Sequence, residues 1–312
     1  MDDIMVSVIC MAYNHENYIR DALEGFVKQK TNFPFEVLVH DDASTDSTAD
    51  IIREYQRKYP HIIKPIFQTE NQYSKGVKTF NMYVRPRITG RYVALCEGDD
   101  YWTDEFKLQK QFDILEAHPE VDGCTHKVEK RCATNGKVMG YIAPLSKTGV
   151  IPTEDVIRGG GEYLGTNSLM YRKEILEMNY KFRKALSLDY VTQISISLRG
   201  GVFYSSDCMS VYRVGAVGSW TNRMRKNPHM LNTVSEEIIS MLECLDEETD
   251  YMYHNIIEKT ILERECNIAV RNGDFIALLS KPLKECFFSF PLQKKVILLL
   301  RVVKNVGRNN EK

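Results

Sequence analysis

The first hundred residues alternate between short apolar runs and segments in which apolar residues recur every three or four positions. The runs at residues 5–11, 35–39 and 62–67 predict buried β-strands. The segments between them predict amphipathic helices, of which the second ends before Pro60. This order predicts an α/β fold: a Rossmann-like, mainly parallel sheet flanked by helices, with a ligand crevice at the carboxyl ends of the strands.

The middle of the chain continues the pattern less regularly. Apolar residues predict a strand that ends before Gly98, a helix from about 108 to 115 and a strand over 121–128. Residues 134–161 are rich in Gly, Pro, Thr and Lys, which predicts loops over the crevice. We expect the remaining elements to be a strand near 163–171, a helix over 188–198 and one or two strands over 202–214.

From about Pro228 onward the pattern is helical, so we predict a domain over residues 1–225 and a C-terminal helical region over 226–312. Residues 286–308 mix aromatic and aliphatic side chains with Lys and Arg. Three interpretations of this tail are open: it packs on its own domain, it contacts a second subunit in a homodimer, or it lies on an anionic membrane surface. No stretch approaches the roughly 20 apolar residues of a membrane-spanning helix.

Composition excludes some classes of function. The 41 basic and 42 acidic residues give a net charge of −1, so no positive field is present to attract nucleic acid. The eight cysteines include no C-x-x-C pair, which argues against a disulfide framework and a zinc site. The N-terminus lacks the basic start of a signal peptide. These features predict a cytoplasmic protein, at the inner face of the membrane if the tail binds lipid.

Candidate chemistry begins at Asp99 and Asp100, which follow an apolar strand and Gly98. The first polar residues after a buried strand emerge together at the carboxyl edge of a sheet. Hard carboxylate oxygens suit Mg²⁺ or Mn²⁺, ions that complete their coordination with water and substrate phosphates. The alternative interpretation is a turn that only reverses the chain.

Two other predicted strands end in polar residues at the same edge. Tyr13 and Asn14 follow the first strand, and Asp41 and Asp42 follow the second. A tyrosine can stack on a base and a carboxylate can accept a hydrogen bond from a base N–H, so the edge is typical of a nucleotide site. The alternative is that Tyr13 belongs to the core and the aspartates cap a helix.

Taken together, these segments resemble the large family of inverting, nucleotide-sugar-dependent glycosyltransferases with the GT-A fold, family two, of the bacterial polysaccharide type. The likeness extends over about residues 5 to 220. It is carried by VSVICMAYNHENYI at 6–19, EVLVHDDASTDST at 36–48, GRYVALCEGDDYWTDEFKLQKQ at 90–111 and LSLDYVTQISISLRGG at 186–201. The resemblance implies a GT-A type fold, a UDP-sugar donor and a Mn²⁺ or Mg²⁺ cofactor.

The resemblance also implies roles for individual residues. Tyr13 would flank the uracil ring and Asp42 would contact its N3, while Glu97 stands where the family has an aspartate that reaches the ribose. Either carboxylate of the aspartate pair would bind the metal. The implied nucleotide-sugar site comprises Ala12, Tyr13, Asn14, Asp42, Glu97, Asp99 and Arg213, and the implied metal ligands are Asp99 and Asp100.

By the same resemblance Asp189 is the catalytic base, which takes the proton of the acceptor hydroxyl. The alternative is an acidic residue in the first turn of a helix, where the helix dipole favours it. Gly215 stands where many relatives have a metal-binding histidine, which puts metal affinity in question. Nearby Arg213, Arg223 and Arg225 are candidates for contacts with the diphosphate, and a solvated basic loop is the alternative for Arg223 and Arg225. Residues 166–168 are candidates for the acceptor side, although such residues are also common in loops.

The expected function is transfer of a sugar from a UDP-sugar donor, with inversion and metal assistance, to a hydroxyl of a glycan or lipid-linked acceptor. The alternative is a non-catalytic nucleotide-sugar-binding scaffold of a polysaccharide assembly complex, which Glu97 and Gly215 motivate. A sugar nucleotidyltransferase should show a glycine-rich triphosphate loop after the first strand, and residues 11–19 contain no glycine.

Overall fold

The computed structural model describes residues 3–184, 188–219, 227–293 and 295–298. Contacts divide the chain into two compact units. The first unit comprises Met1–Val156, Gly161–Met178 and Gln193–Arg223, and the second comprises Ile157–Gly160, Asn179–Thr192 and Met224–Lys312. The predicted domain boundary between residues 225 and 226 lies outside the described residues.

The first unit is built on a mixed sheet. Its strands follow one another in space in the order β3 Ile63–Phe67, β2 Phe35–Asp41, β1 Val6–Ala12, β4 Tyr92–Leu95, β9 Met170–Arg172, β6 Gly123–Cys132, β10 Val202–Val214 and β5 Tyr101–Trp102. Its first four strands are parallel and end at one edge, because Ala12, Asp41 and Phe67 lie in register at the ends of neighbouring strands. The predicted βαβαβ pattern is therefore confirmed. These elements are β1 Val6–Ala12, α1 Ile19–Val27, β2 Phe35–Asp41, α2 Thr48–Lys58, β3 Ile63–Phe67 and β4 Tyr92–Leu95.

Helix α1 shows why these residues form this architecture. Its apolar side chains at positions 19, 22, 23 and 26 recur at helical spacing and are completely buried. Every residue of β2 is buried, as expected of a central parallel strand covered on both faces. The core thus lies directly beneath the strand ends.

The second half of the sheet extends the first with both parallel and antiparallel pairs. The long strand β10 pairs in parallel with β6, and its register shifts between Ser205 and Ser210. Strand β9 pairs antiparallel with both β4 and β6 and so joins the two halves. The elements are β5 Tyr101–Trp102, α3 Lys107–Ala117, β6 Gly123–Cys132, β9 Met170–Arg172, α5 Leu188–Ser197 and β10 Val202–Val214.

The prediction of loops over residues 134–161 was wrong. This stretch forms β7 Val138–Ile142, β8 Gly149–Ile151 and α4 Thr153–Gly159. Strand β7 pairs with β6 and is exposed along most of its length, so the alternation that reveals a half-buried strand is absent from its sequence. The strand predicted over 163–171 was too long, because a 3₁₀ helix at Thr166–Ser168 precedes β9.

The second unit contains the predicted C-terminal helices, α6 Pro228–Glu248, α7 His254–Asn272, α8 Phe275–Leu279 and α9 Lys281–Ser289. Asn227 caps α6 by accepting a hydrogen bond from the Met230 N–H. A small core of α7 side chains packs against Leu278, Phe290 and Leu298. No helix in the described part of the chain is long and apolar enough to cross a bilayer. Position 294 and residues 299–308 of the predicted tail lie outside that part.

Candidate active site

The turns that follow β1 and β2 are tied together at the carboxyl edge of the sheet. The Asp42 N–H donates to the Ala12 carbonyl at 3.0 Å. The Asn14 N–H donates to Ser44 Oγ at 2.9 Å, and Asn14 Oδ1 accepts from the Thr45 N–H at 2.8 Å. Asn14 adopts a left-handed conformation with φ of 56°, which asparagine tolerates. The turns after these two predicted strands thus form one continuous rim at the carboxyl edge of the sheet.

The two residues predicted to contact the base differ in exposure. Tyr13 is 37% exposed, so its ring is not part of the core. Asp42 is buried, and its carboxylate accepts hydrogen bonds from the Gln72 N–H at 2.9 Å and the Tyr73 N–H at 3.0 Å. A base N–H would therefore be a further donor to a carboxylate that already orders the loop after β3. No pattern in the sequence pointed to this loop.

Gly98 places Asp99, the candidate metal ligand, next to the turn after β1. Its N–H donates to the Met11 carbonyl at 2.9 Å. A Cβ at this position would lie 2.8 Å from Ile19 Cδ1 and 2.9 Å from the buried Nδ1 of His15, so there is no space for a side chain. Only glycine permits the backbone at position 98 to pack so closely against the turn after β1. Asp99, the next residue, therefore lies beside that turn.

The two aspartates of the pair have opposite environments. Asp100 is buried, with Oδ2 accepting from Asn167 Nδ2 at 2.9 Å and Oδ1 accepting from the Arg213 N–H at 2.8 Å. Burial, and then the negative charges of Asp99 and Glu97, raise the pKa of Asp100 well above its ordinary value. Asp99 and Glu97 are partly exposed. Of the predicted metal ligands, Asp99 is thus the one open to a ligand.

Asn167 connects several parts of the first unit. Besides Asp100, its Nδ2 donates to the Val211 carbonyl at 3.0 Å, and its Oδ1 accepts from Ser210 Oγ at 2.9 Å. Its own carbonyl accepts from Trp102 Nε1 at 2.9 Å. The sequence suggested that residues 166–168 line the acceptor side, whereas Asn167 and Ser168 are buried. Asn167 orients Asp100 and anchors the strand that follows it.

A buried lysine below this segment was missed by the sequence analysis. Lys107 Nζ donates to Gln111 Oε1 at 2.6 Å and lies 4.0 Å from the centre of the Trp102 ring. Burial lowers the pKa of Lys107 to about 7. Gln111 in turn donates to the Ser168 carbonyl at 2.8 Å. A lysine among polar residues gives no sign of burial, since most such lysines are solvated.

Arg213, predicted to contact the nucleotide sugar, is held beside the metal-binding candidate. Its Nη1 donates to the Asp99 carbonyl at 3.0 Å, and its Nη2 forms an ion pair with Asp21. The guanidinium lies 4.3 Å from the Tyr101 ring centre and 5.3 Å from that of Tyr18. Only 11% of its side chain is exposed. Arg213 thus fixes the backbone at Asp99, and its contact with the diphosphate stays a prediction.

Gly215, which replaces the usual histidine, lies at the end of β10. Its φ is +86°, and no heavy atom lies within 4 Å of a Cβ built there. There is space for a side chain, but the backbone conformation is one that favours glycine. Arg223 and Arg225 are outside the described residues.

The carboxylates near Asp99 fit a hard divalent cation that also takes ligands from the substrate and from water. Among residues 3–184, 188–219, 227–293 and 295–298, no three His, Cys, Asp or Glu side chains form a metal-binding cluster. Mg²⁺ and Mn²⁺ are commonly bound through one or two carboxylates together with substrate phosphates and water. The partly exposed carboxylates of Asp99 and Glu97 suit this mode.

Asp189 lies in the second unit, at the second position of α5. Its side chain is exposed and therefore accessible to a substrate. The next residue, Tyr190, is completely buried, and its hydroxyl donates to the Ile157 carbonyl. Residues 185–187, which precede the helix, are outside the described residues. The role of Asp189 as base stays a prediction.

A protein-family model described as glycosyl transferase family 2 matches residues 7–218. The chain belongs to this family. The matched segment includes the rim, the aspartate pair, Asp189 and Arg213. The family assignment made from the sequence is thereby confirmed.

Two relatives illustrate the range of similarity. The uncharacterized protein Rv1520 of Mycobacterium tuberculosis is 36% identical over 215 residues, which are 69% of this chain and 60% of that protein. The chain thus matches about three fifths of the length of this relative. WfaP of Escherichia coli, a UDP-Glc:alpha-D-GlcNAc-diphosphoundecaprenol beta-1,3-glucosyltransferase, is 33% identical over 112 residues, 36% of this chain and 41% of WfaP.

Solved structures share the fold. Staphylococcus aureus TarS 1–349 in complex with UDP-GlcNAc gives a TM-score of 0.60 at 17% identity, covering 97% of this chain and 89% of that chain. The mannosyltransferase PcManGT of Pyrobaculum calidifontis, in complex with GDP-Man and Mn²⁺, gives a TM-score of 0.53 at 16% identity, covering 98% and 89%. The likeness confirms the predicted GT-A type fold.

Proposed function

We propose that this protein is an inverting glycosyltransferase that moves one sugar from a UDP-sugar to a hydroxyl of a glycan or lipid-linked saccharide. The observation that carries the proposal is the rim itself, where the exposed Tyr13 and the partly exposed Asp99 follow neighbouring parallel strands. A UDP-sugar in the name of WfaP and in the TarS complex supports the donor class. The diphosphoundecaprenol in the name of WfaP supports a lipid-linked acceptor.

On the donor side, the rim residues would bind the nucleotide. Tyr13 would stack on the uracil, with Ala12 and Asn14 shaping the turn beneath it. Asp42 would accept the N3 hydrogen, and Glu97 would accept a hydrogen bond from a ribose hydroxyl. Each of these contacts uses a group that the fold presents at the carboxyl edge of the sheet.

At the diphosphate, Asp99 would hold Mn²⁺ or Mg²⁺, with Glu97 close by. When bound, such an ion supplies positive charge that stabilises the departing diphosphate. Asp100, whose two carboxylate oxygens each accept a hydrogen bond within the protein, would orient the segment. Arg213 would keep the Asp99 backbone in place through its bond to the carbonyl.

On the acceptor side, Asp189 would accept the proton of the attacking hydroxyl. The oxygen would then displace the diphosphate from the opposite face of the anomeric carbon, which inverts the configuration in a single step. General-base assistance of this kind contributes about 10²- to 10⁴-fold to a rate. An exposed carboxylate can reach a bound hydroxyl directly, which supports this assignment.

The test is release of UDP from UDP-Glc and UDP-GlcNAc in the presence of Mn²⁺ and a synthetic GlcNAc-diphospholipid acceptor. We expect Asp189→Asn to lower the turnover about 10²- to 10⁴-fold while the affinity for UDP is retained. Asp50→Asn is the matched control, because Asp50 is also an exposed acidic residue in the first turn of a helix.

The outcomes separate the alternatives. Full turnover by Asp189→Asn would remove this residue from the mechanism. Tight binding of UDP without transfer of either sugar would favour a non-catalytic scaffold. Equal losses in Asp50→Asn and Asp189→Asn would indicate a general effect of helix charge.

We also propose that the C-terminal region contacts an anionic membrane surface, where a lipid-linked acceptor would reside. Ile276 is 85% exposed and Leu292 is 75% exposed, and Leu279 and Phe288 are exposed as well. The exposed Lys281 and Lys284 lie among them in the sequence. Exposed apolar groups interspersed with lysines favour the interface of an anionic bilayer.

Flotation with phosphatidylglycerol and phosphatidylcholine liposomes tests this contact. Phe288→Ser and Leu292→Ser together should reduce flotation with the anionic liposomes, and Met252→Ser, which removes an equally exposed apolar side chain elsewhere in the unit, should not. Truncation is a poorer test, because Phe290 and Leu298 belong to the core of α7. Unchanged flotation would reject a membrane contact through these side chains, and loss of dimers in the double variant would favour a subunit contact instead.

A further inference from the structure

The segment that carries Asp189 packs with the C-terminal helices. Residues 179–192 group with 157–160 and with the chain from residue 224 onward. The family match ends at residue 218, so helices α6 and α7 lie beyond it while Asp189 lies within it. A candidate catalytic residue of the family is therefore supported by a region outside the family match.

The first support acts ahead of the helix that carries Asp189. Glu248, the last residue of α6, accepts hydrogen bonds from the Lys181 N–H at 2.8 Å and the Phe182 N–H at 3.0 Å. Phe182 is buried, so the short 3₁₀ helix Lys181–Lys184 is held both by a carboxylate and by packing. A carboxylate that accepts backbone N–H groups at the start of a helix satisfies donors that have no other partner in the helix.

The second support acts on the residue next to Asp189. The guanidinium of Arg264, from α7, lies 5.5 Å from the centre of the buried Tyr190 ring. The Tyr190 hydroxyl donates to the Ile157 carbonyl. Arg264 packs tightly here, because a Cβ on Gly160 would lie 3.2 Å from its Nη2. Arg264 thus contacts both Gly160, which follows α4, and Tyr190 in the first turn of α5.

Adjacent residues on one helical turn move together. Fixing the ring of Tyr190 fixes the rotation and height of the first turn of α5, and therefore the direction of the Asp189 side chain. Displacement of a reacting group by about 1 Å can lower a rate by about 100-fold. Resting on the proposed role of Asp189 as base, we propose that α7 sets its position through Arg264, a positioning residue that packs on Tyr190.

The experiment compares two arginines of the same helix. Arg264→Met removes the contact with Tyr190, whereas Arg271→Met removes a partly buried arginine that hydrogen-bonds Asn232 and Ser235 of α6. UDP release is measured with UDP-GlcNAc, Mn²⁺ and the GlcNAc-diphospholipid acceptor, and the folded fraction by thermal unfolding. We expect Arg264→Met to lower kcat by about 10- to 100-fold with the donor KM changed less than twofold. Arg264→Lys should recover part of kcat, and Arg271→Met should retain it.

A double variant tests whether Arg264 acts through Asp189. If it does, Arg264→Met should cause no additional loss in the Asp189→Asn background, because the coupled effects are not additive. Full additivity, or an unchanged kcat in folded Arg264→Met, would overturn the positioning role while leaving the proposed function intact. If instead Asp189→Asn itself turns over normally, the proposed base is wrong.

A milder substitution covers the case in which Arg264→Met does not fold. Tyr190→Phe removes only the hydroxyl and keeps the ring in the core. We expect the same pattern at smaller size, a lower kcat with an unchanged donor KM. A change confined to thermal stability in Tyr190→Phe would show that these contacts are only structural.

Discussion

The segment of Glu97 to Asp100 and the segment of residues 179–192 both present an acidic candidate residue, but they are held in different ways. The first is fixed by the sheet, through partners 67 and 113 positions away from Asp100. The second is fixed by side chains of helices that follow the family match. The comparison shows that the segment with Asp99 is held by residues inside the family match, whereas the segment with Asp189 is held in part by helices that follow it.

The largest expected effect is on the binding of UDP, which should depend on Asp99 in the first segment and not on Asp189 in the second. Asp99→Asn should remove metal-dependent binding of UDP and lower turnover by more than about 100-fold, since a bound cation supplies several kcal/mol of charge stabilisation. Asp189→Asn should keep UDP binding. Calorimetric titration of UDP with and without Mn²⁺ makes the measurement. Metal-dependent UDP affinity at the wild-type level in Asp99→Asn would contradict the assignment.

The next effect concerns the stability that buried hydrogen bonds give to each unit. Asn167→Leu should destabilise the protein by about 1–3 kcal/mol for each buried group left unpaired, among them Asp100 and the Val211 carbonyl. Each kcal/mol corresponds to roughly 2–4 °C in Tm. Asn232→Leu, which removes hydrogen bonds to Arg271 and Asn272 in the second unit, should cost less because Asn232 is only partly buried. Scanning calorimetry would reveal a reversed order.

Lys107 predicts a pH dependence specific to the first unit. Its pKa is lowered to about 7 by burial and is partly restored by Cys96, Cys124 and Asp104, whereas the unfolded chain keeps a value near 10.5. The buried charge destabilises the fold fully below pH 7, and the cost is relieved as the pH rises from 7 toward 10.5. Relative to Lys107→Met, the wild type should therefore gain up to about 1.4 kcal/mol per pH unit.

Urea denaturation of both proteins between pH 6 and pH 9 measures this difference. The comparison with the variant cancels other titrating groups that the two proteins share. A difference that stays constant from pH 7 to pH 9 would show that Lys107 is not a buried lysine of lowered pKa.

The smallest effect belongs to the second unit and has the opposite sign. The hydrogen bond that His254 donates to the Asp246 carboxylate, and then the negative charge of Asp246, raise the pKa of the exposed His254. The stabilisation is fully present below the ordinary value of 6.5 and is lost as the pH rises through the folded-state pKa. His254→Gln should therefore reduce stability slightly at pH 5.5 and have no effect at pH 8.5. A larger loss at pH 8.5 would contradict this sign.

Sequence reasoning succeeded where the signal was local. Short apolar runs and helical spacing predicted β1 to β3 and the helices between them, and the strand ends placed Asp99 at the rim. It could not separate Asp99 from Asp100, because that difference depends on Asn167 and Arg213, which are distant in the chain. The burial of Lys107 was missed for another reason, because its neighbours Trp102 and Gln111 are close in the chain but are themselves buried only by the fold.

The exposed strand β7 was missed for a physical reason as well. Period-two alternation appears only when one face of a strand is buried, and most of β7 is exposed. The supports of Asp189 likewise come from residues 248 and 264, which no motif connects to it. Patterns along the chain predict helices and strands, whereas contacts between side chains that are distant in sequence depend on the three-dimensional fold.

The side-chain bonds that join the turns after β1 and β2 have a thermodynamic consequence. Because Asn14 and Ser44 already hold each other's loops, a nucleotide that binds as proposed would meet a preorganised surface. Little loop entropy is then lost on association, and the affinity for the donor reflects mainly the interactions that the nucleotide forms with the rim and the cost of immobilising the nucleotide itself.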